Sequence, residues 1–222
     1  LDFARNSFEL CPTNTARIFN SNQRNSHLLY MSNWSDKRAA RRVLDWTKEK
    51  GKDASINRIL PILEMLHGSV LEIGPGSGSL LQYLPKNIRY TCIEPNHYLH
   101  ELIRKEATRC GFFKIEIIAG RAEEIPSAPN SFDAVVSVRS LCVLDTALVL
   151  QEIKRVLKSR GRFIFVEHVA APKGSYPWFV QKLIRYPHKF IKNGCDPAKD
   201  IKSFFDEIKG KVLHKLTRMG KF

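Results

Sequence analysis

The segment VLEIGPGSG, residues 70–78, joins a short apolar run to a turn with three glycines at alternate positions. An apolar run followed at once by closely spaced glycines is typical of a buried strand that turns sharply into a helix. The same alternation continues along the chain. Strands are predicted at residues 70–73, 89–93, 115–118, 134–138 and 162–168, and helices at residues 78–84, 96–110 and 146–157. This order predicts an α/β fold with a doubly wound, mainly parallel sheet.

The spacing of the glycines indicates which ligand the turn holds. Gly74, Gly76 and Gly78 follow a G-x-G-x-G pattern, so the third glycine comes one residue earlier than in a turn that binds a dinucleotide pyrophosphate. Glu72, two residues before the first glycine, would repel a pyrophosphate but attract a cation. Glu94 follows the next predicted strand, where a carboxylate can accept both hydroxyls of a ribose. These residues predict S-adenosylmethionine as the cofactor, because it carries a sulfonium, an ammonium and a ribose but no phosphate.

Several longer stretches resemble one known group of proteins. The general ones are LEIGPGSG, CIEPN, FDAVVS and EIKRVLKSRGRFIFVEH, and the more specific ones are SLCVLDTALVLQEIKRVLK, EHVAAPKGSYPWFVQ and NGC at residues 193–195. From about residue 30 to residue 208, the chain resembles the methyltransferase-like protein 7 family of alkyl-thiol S-methyltransferases, within the class I S-adenosylmethionine-dependent methyltransferases. The resemblance implies a Rossmann-like class I fold whose sheet ends in a C-terminal strand hairpin. We expect that hairpin to be incomplete, since only residues 211–222 remain for it.

The remaining candidates for the cofactor site follow the ends of successive predicted strands. Pro95 and Asn96 adjoin Glu94. Ala122 and Glu123 follow the third strand, where a class I methyltransferase commonly contacts adenine, and Arg139 follows the fourth. The predicted cofactor-binding residues are Glu72, Gly74, Gly76, Gly78, Glu94, Pro95, Asn96, Ala122, Glu123 and Arg139.

The acceptor side of the site is predicted from the same resemblance. It implies a small lipophilic acceptor, an alkyl thiol, with Ser140 and Cys142 lining the methyl-transfer centre. Two histidines are candidates for the catalytic base, and His168, at the end of the fifth predicted strand, is preferred to His97 on the cofactor side. A histidine that orders a loop by hydrogen bonding is the alternative role for His168. Trp178 and Phe179 are predicted to form walls of the substrate site within a lid. A membrane-facing amphipathic helix and a plain packing helix remain alternatives for that segment.

The chain is expected to hold one domain. Residues 1–33, rich in asparagine and serine, are expected to form a poorly ordered arm before a methyltransferase domain at residues 34–222. Within the domain we expect N-terminal helices at residues 34–68, a cofactor-binding core at residues 69–169 and lid or substrate-side helices at residues 170–210. Five cysteines without metal-like spacing predict no metal site, and free thiols in a reducing, intracellular compartment.

The positive charge of the chain leaves other functions open. The net charge is +14, and residues 151–222 carry 17 lysines and arginines against 6 acidic residues. Such a surface attracts nucleic acid, an anionic membrane or an acidic partner, or is simply solvated. An RNA methyltransferase is one alternative, disfavoured because the sequence has no appended RNA-binding module and no N-P-P-[YF] motif, and a non-catalytic cofactor-binding module is another. The resemblance implies association with endoplasmic reticulum or lipid-droplet membranes, or the cytosol if the N-terminal anchor is absent. No oligomeric state is predicted.

Overall fold

Parallel strands alternate with helices through the central part of the chain. The computed structural model describes residues 8–9, 37–38, 40–41, 43, 54–167, 170–191, 195–201 and 211–212. The strands are β1 (Phe8–Glu9), β2 (Ser69–Ile73), β3 (Arg89–Ile93), β4 (Ile115–Ile118), β5 (Phe132–Val138), β6 (Leu157–Val166) and β7 (Lys211–Val212). The helices are α1 (Ala54–Asn57), α2 (Leu60–Leu63), α3 (His97–Arg109), α4 (Thr146–Val156) and α5 (Tyr176–Ile191), with a 3-10 helix at Leu81–Tyr83. Residues 37–38, 40–41 and 43 also have helical backbone.

These strands form a single sheet. Among the described residues its order is β4-β3-β2-β5-β6-β1-β7. All neighbours from β4 to β6 are parallel. The strand order reverses at β2, which lies between β3 and β5, and open α/β sheets bind ligands beyond the carboxyl ends of the strands at such a switch point. The predicted doubly wound, Rossmann-like α/β sheet is confirmed.

Both faces of the sheet are covered by apolar side chains. One buried cluster contains Leu71 and Ile73 of β2 together with Ile153 of α4. The other contains Val70 of β2 together with Ile103 of α3. Successive strand residues point to opposite faces, so a strand that is apolar on both faces must be buried on both, which is why β2 reads as a continuous apolar run.

Helix prediction is wrong directly after the glycine loop. A helix was expected at residues 78–84, but the structure has only a 3-10 helix at Leu81–Tyr83. Gly78 has a φ of +80°, outside the right-handed helical region. Leu84 is extended, with a ψ of 145°, because it precedes Pro85 and a residue before proline is pushed out of the helical region.

Two further boundaries differ from the sequence prediction. β6 begins at Leu157 rather than at residue 162, with a register shift opposite β5 between Phe132 and Ala134. Residues 158–160 are polar, so the sequence pattern did not indicate that the strand begins before them. α5 continues through Pro187, which was expected to break it. Proline removes one backbone donor from a helix, and here that loss does not end it.

The outer edge of β6 has a partner that the sequence did not predict. Phe8 pairs with Phe163, and Glu9 with Arg162, in antiparallel register. β7 pairs in turn with β1, also antiparallel. The other residues of the expected N-terminal arm lie outside the described residues, as do most of those expected in the C-terminal hairpin. Among the helices that the structure describes, none has the length and apolar character needed to cross a bilayer.

Candidate active site

The glycine loop and Glu94 begin at the same level of the sheet. Gly74, directly after β2, donates its N–H to Ile93 O at the end of β3 (3.1 Å). Glu94, directly after β3, donates its N–H to Ile118 O at the end of β4 (3.0 Å). The two segments that carry most of the predicted cofactor residues therefore lie side by side at the switch point.

The glycine loop has a backbone that only glycine adopts readily. Gly74, Gly76 and Gly78 have φ values of +63°, +59° and +80°. A Cβ on Gly74 would lie 2.8 Å from the Cβ of Ser140, in the segment after β5. Glycine is therefore required at position 74 for two reasons. Its backbone is left-handed, and the neighbouring segment approaches too closely to leave room for a side chain.

Substituting Gly74 with alanine is expected to lower the free energy of unfolding by about 2–4 kcal/mol, because left-handed strain and overpacking add. Gly111 is a matched control, since its φ is +81° but a Cβ there would meet no atom within 4 Å. Gly111→Ala should lose only about 1–2 kcal/mol, the strain alone. Urea unfolding of both variants measures the difference, and equal losses would show that the contact with Ser140 has no importance.

Glu72 is a buried carboxyl beneath this loop. Tyr90 donates its hydroxyl to Glu72 Oε2 at 2.5 Å. Burial raises the pKa of Glu72 from 4.5 to about 7, the bond from Tyr90 opposes the rise, and the negative charge of Glu94 adds to it. The two carboxyls therefore repel each other in a poorly solvated region, and a positively charged ligand would relieve that repulsion.

Glu94 is buried where α3 begins. Its Oε1 accepts the N–H of Asn96 at 3.0 Å, and its main-chain oxygen lies 2.8 Å from His100 Nε2. Asn96 in turn caps α3 by accepting the N–H of Tyr98 at 3.1 Å. Pro95 between them is exposed. These bonds fix the carboxylate at the end of β3.

Glu123 presents a buried oxygen that lacks a hydrogen bond. Its Oε1 contacts Arg121 Nη2 (3.2 Å) and accepts the N–H of Asp145 (3.2 Å). Its Oε2 is buried and has no hydrogen-bond partner among the described residues. Ala122 beside it is also buried. Buried acceptors are nearly always satisfied, so this oxygen marks a place where a ligand can donate a hydrogen bond.

The acceptor-side loop, defined as residues 139–145, starts with a strained residue. Arg139 has a φ of +58°, and such backbone is rare for a residue other than glycine and concentrates at functional sites. Burial lowers the pKa of Arg139. Ser140, predicted to contact substrate, is buried, donates to Ile73 O (2.8 Å) and lies 2.7 Å from the hydroxyl of Ser137. Its hydroxyl thus fastens this loop to the end of β2.

Cys142 is buried in the apolar core rather than lining an open surface. A hydrogen bond with the Cys195 thiol, together with burial, raises the pKa of the Cys142 thiol well above its usual value. A thiol held in its protonated form is a poor nucleophile, so the geometry favours a packing role. Among the described cysteines, which are Cys92, Cys110, Cys142 and Cys195, none forms a disulfide.

Two residues that the sequence did not single out hold the same loop. Glu167 Oε1 accepts the N–H of Leu141 at 2.7 Å. Lys199 donates to Leu141 O at 3.0 Å and also to Leu144 O. Glu167 directly follows β6, next to His168, and a polar residue in that position could have been identified from the sequence. Nothing in the local sequence distinguishes Lys199 from the many other lysines of the C-terminal third.

The remaining acceptor-side candidates lie on α5 or outside the described residues. Trp178 is half-buried and packs edge-on against the exposed Phe179, with ring centroids 5.0 Å apart. His168 lies outside the described residues, so its role as a base stays a prediction. No cluster of histidine, cysteine and carboxylate side chains suited to a metal ion occurs in the described part of the chain.

A cleft of about 640 Å³ lies away from this site. It is lined by residues at the amino ends of β3 and β4, among them Arg89, Phe113 and Ile115. Ligands of open α/β sheets bind at the opposite, carboxyl ends. The candidate active site is therefore assigned from its side chains and loop geometry and not from this cleft.

The residues at the carboxyl ends fit S-adenosylmethionine. The negative charges of the buried carboxyls Glu72 and Glu94 favour a ligand with positive charge. The buried Oε2 of Glu123 can accept a hydrogen bond from a ligand, and the amino group of an adenine is a suitable donor. A loop with three left-handed glycines allows the backbone to approach a ligand closely.

The domain and the fold agree with known methyltransferases. Residues 71–165 match the family model described as a methyltransferase domain. The YcgJ protein of Bacillus subtilis has the same fold, with a TM-score of 0.60, 19% identity, and coverage of 70% of this chain and 67% of that one. The cyclase SpnF also shares it, with a TM-score of 0.56, 21% identity, and coverage of 69% and 54%. The matched region and the fold are those of a class I methyltransferase domain, and such a domain implies S-adenosylmethionine as cofactor.

Within that class, the chain is similar to thiol S-methyltransferases. It is 34% identical over 130 residues to human TMT1B, covering 57% of this chain and 53% of the relative. The rat TMT1B is 34% identical over 148 residues (63% and 61%), and the human TMT1A is 30% identical over 135 residues (60% and 55%). The chain thus spans between 53% and 61% of the length of these relatives. The resemblance inferred from the sequence motifs is confirmed.

Proposed function

We propose that the protein binds S-adenosylmethionine and transfers its methyl group to a small lipophilic acceptor, an alkyl thiol. Binding of S-adenosylmethionine is supported above all by two buried carboxyls, Glu72 and Glu94, which repel each other beside a glycine loop with left-handed backbone. The acceptor part is supported by similarity to the human and rat enzymes named as thiol S-methyltransferases.

When bound, S-adenosylmethionine supplies an electrophilic methyl group on a positively charged sulfur. The chain's own residues would act by placement. Glu94, fixed by Asn96, would accept the ribose hydroxyls, and the Oε2 of Glu123 would accept the adenine amino group. The acceptor-side loop, held by Glu167 and Lys199, would orient the acceptor and exclude water. Positioning of this kind is a large part of catalysis when two reactants must meet in line.

A thiol acceptor makes modest demands on proton transfer. An acceptor with a pKa of about 8.5, the value of a cysteine thiol, is a few per cent thiolate near neutral pH. A strong base is therefore unnecessary. His168 is proposed as a base that would increase that fraction, and the half-buried Trp178 as an apolar wall for a lipophilic acceptor, whereas Phe179, also expected there, is exposed to solvent.

Calorimetric titration of the purified protein with S-adenosylmethionine, followed by transfer of a labelled methyl group, tests the proposal. We expect binding, and methylation of 2-mercaptoethanol but not of bulk RNA. Absence of cofactor binding would refute the proposal. Binding without transfer to either acceptor would indicate a non-catalytic module, and salt-sensitive methylation of RNA would establish the alternative enzyme.

We also propose, on the resemblance to this family, an intracellular location at endoplasmic reticulum or lipid-droplet membranes. Fluorescence microscopy of the tagged full-length protein beside markers of both membranes tests the location. Diffuse cytosolic fluorescence would refute it.

A further inference from the structure

One face of α5 presents large apolar side chains to solvent. Tyr176, Phe179, Leu183 and Tyr186 are 81%, 58%, 81% and 77% exposed. At 3.6 residues per turn these four positions fall within an arc of about 80°. They form a continuous stripe along the helix, defined here as the α5 stripe, and contiguous exposed apolar surface of this kind marks an interaction site.

Hydrogen bonds to two other segments fix the direction in which the stripe points. Gln181 is buried and accepts the N–H of Ala171 at 2.7 Å. Arg185 forms an ion pair with the buried Asp196 at 2.7 Å. Gln181 and Arg185 lie on the side of α5 away from the stripe, so the helix is attached to the domain by that side. The stripe therefore faces outward.

The positive charge around the stripe favours an anionic binding partner. α5 contains Lys182, Arg185 and Lys189 and no acidic residue. Lys182 is exposed, with its ammonium 5.0 Å from the Trp178 ring centroid, at the border of the stripe. A second copy of this chain would bring a second net charge of +14 and be repelled, whereas anionic headgroups would be attracted.

We propose that the α5 stripe docks on the surface of an anionic lipid bilayer. An apolar helix face with an exposed lysine at its border is suited to lie in the plane of a bilayer interface, and tyrosine places its polar end at the headgroups. α5 follows β6 on the acceptor side of the site, so docking would bring this side of the protein near the lipid. The inference rests on exposure and charge and does not depend on the proposed methyl transfer.

Co-sedimentation with vesicles tests the docking surface. Phosphatidylcholine vesicles would be compared with vesicles containing about 30% phosphatidylserine, at low and high salt. The Leu183→Ser/Tyr186→Ser variant removes two members of the stripe. Phe113→Ser is the matched control, because Phe113 is 87% exposed but lies outside α5. Thermal unfolding of each variant verifies that the fold is retained.

We expect the wild-type protein to bind the anionic vesicles in a salt-sensitive manner, the stripe variant to bind at least about tenfold more weakly, and the control to bind normally. Equal binding to both kinds of vesicle, no binding to either, or an equal loss in the control would overturn the proposal. A dimer in sedimentation velocity that the stripe variant abolishes would instead assign the face to self-association. Because no cofactor is present in these assays, a failure of methyl transfer would leave their result unchanged.

Discussion

Replacement of Glu94 with glutamine is expected to weaken S-adenosylmethionine binding by roughly 10- to 100-fold while leaving the fold intact. Glu94 Oε1 accepts the N–H of Asn96 at 3.0 Å, and the amide oxygen of glutamine can accept the same bond. The second carboxylate oxygen becomes an NH₂ group, which cannot accept a ribose hydroxyl. Loss of the charge also removes charge-assisted hydrogen bonds, each contributing about 1.5–3 kcal/mol.

Calorimetric titration measures this loss, and a control on the neighbouring helix separates it from a general change of charge. Glu101 lies on α3, is exposed, and pairs with Lys105 at 2.7 Å. Glu101→Gln should bind the cofactor as the wild-type protein does, with thermal unfolding unchanged in both variants. An affinity of Glu94→Gln equal to that of wild type would remove Glu94 from the cofactor site.

The parts of the site that follow strands were predictable from the sequence. A buried parallel strand has a continuous apolar run, and its end is marked when a polar residue or glycine follows. For this reason the sequence alone predicts that Gly74, Glu94 and Arg139 lie at one edge of the sheet. The topology rule for α/β sheets supplies the rest, since it fixes which end of the strands carries the ligand.

The residues that hold the acceptor-side loop could not be placed in the same way. Lys199 donates to two carbonyls of this loop from a segment 55 and 58 residues farther along the chain. Phe8–Glu9 joins the sheet beside β6 from the opposite end of the sequence. A two-residue strand has no periodicity, and a single lysine has no pattern. Long-range contacts of this kind depend on how loops pack, and local sequence does not encode that.

The fold does not determine the identity of the methyl acceptor. SpnF is named as a cyclase, yet it has the same fold, so the fold alone does not determine the reaction. We expect the residues around the acceptor-side loop and α5 to decide which acceptor is methylated. They include the strained Arg139, the protonated Cys142 thiol and the ammonium of Lys199.

Substituting Glu72 with glutamine is expected to stabilise the protein at pH 8 by about 3 kcal/mol and to have little effect at pH 4.5. Burial raises the pKa of Glu72 in the folded protein from 4.5 to about 7, so the native state favours the protonated carboxyl. Below pH 4.5 the carboxyl is protonated in both states and has no effect. As pH rises from 4.5 through 7, ionisation in the unfolded chain progressively destabilises the fold, and the full effect is present above pH 7.

Urea unfolding of wild type and Glu72→Gln across this pH range measures the difference between the two proteins. Glu152 is a control of opposite sign, because its hydrogen bonds with Arg155 lower the pKa of its carboxyl. The stability that Glu152 provides is present above the pKa of the unfolded chain and is lost as pH falls through the lower folded value. Glu152→Gln should therefore destabilise the protein at pH 8 and less at acid pH. A Glu72→Gln effect of the same size at pH 4.5 and pH 8 would contradict the raised pKa.

The same carboxyl should make cofactor binding pH-dependent. A cation bound near Glu72 favours its ionised form, so binding near neutral pH releases a proton, and affinity for S-adenosylmethionine should rise as pH increases through about 7. In Glu72→Gln the release and the rise should both disappear, while the unliganded protein gains stability. Titration calorimetry in buffers of different ionisation enthalpy measures the proton directly. Glu72 would then lower the stability of the free protein and strengthen binding of the cofactor, a trade-off between stability and function that binding sites commonly show.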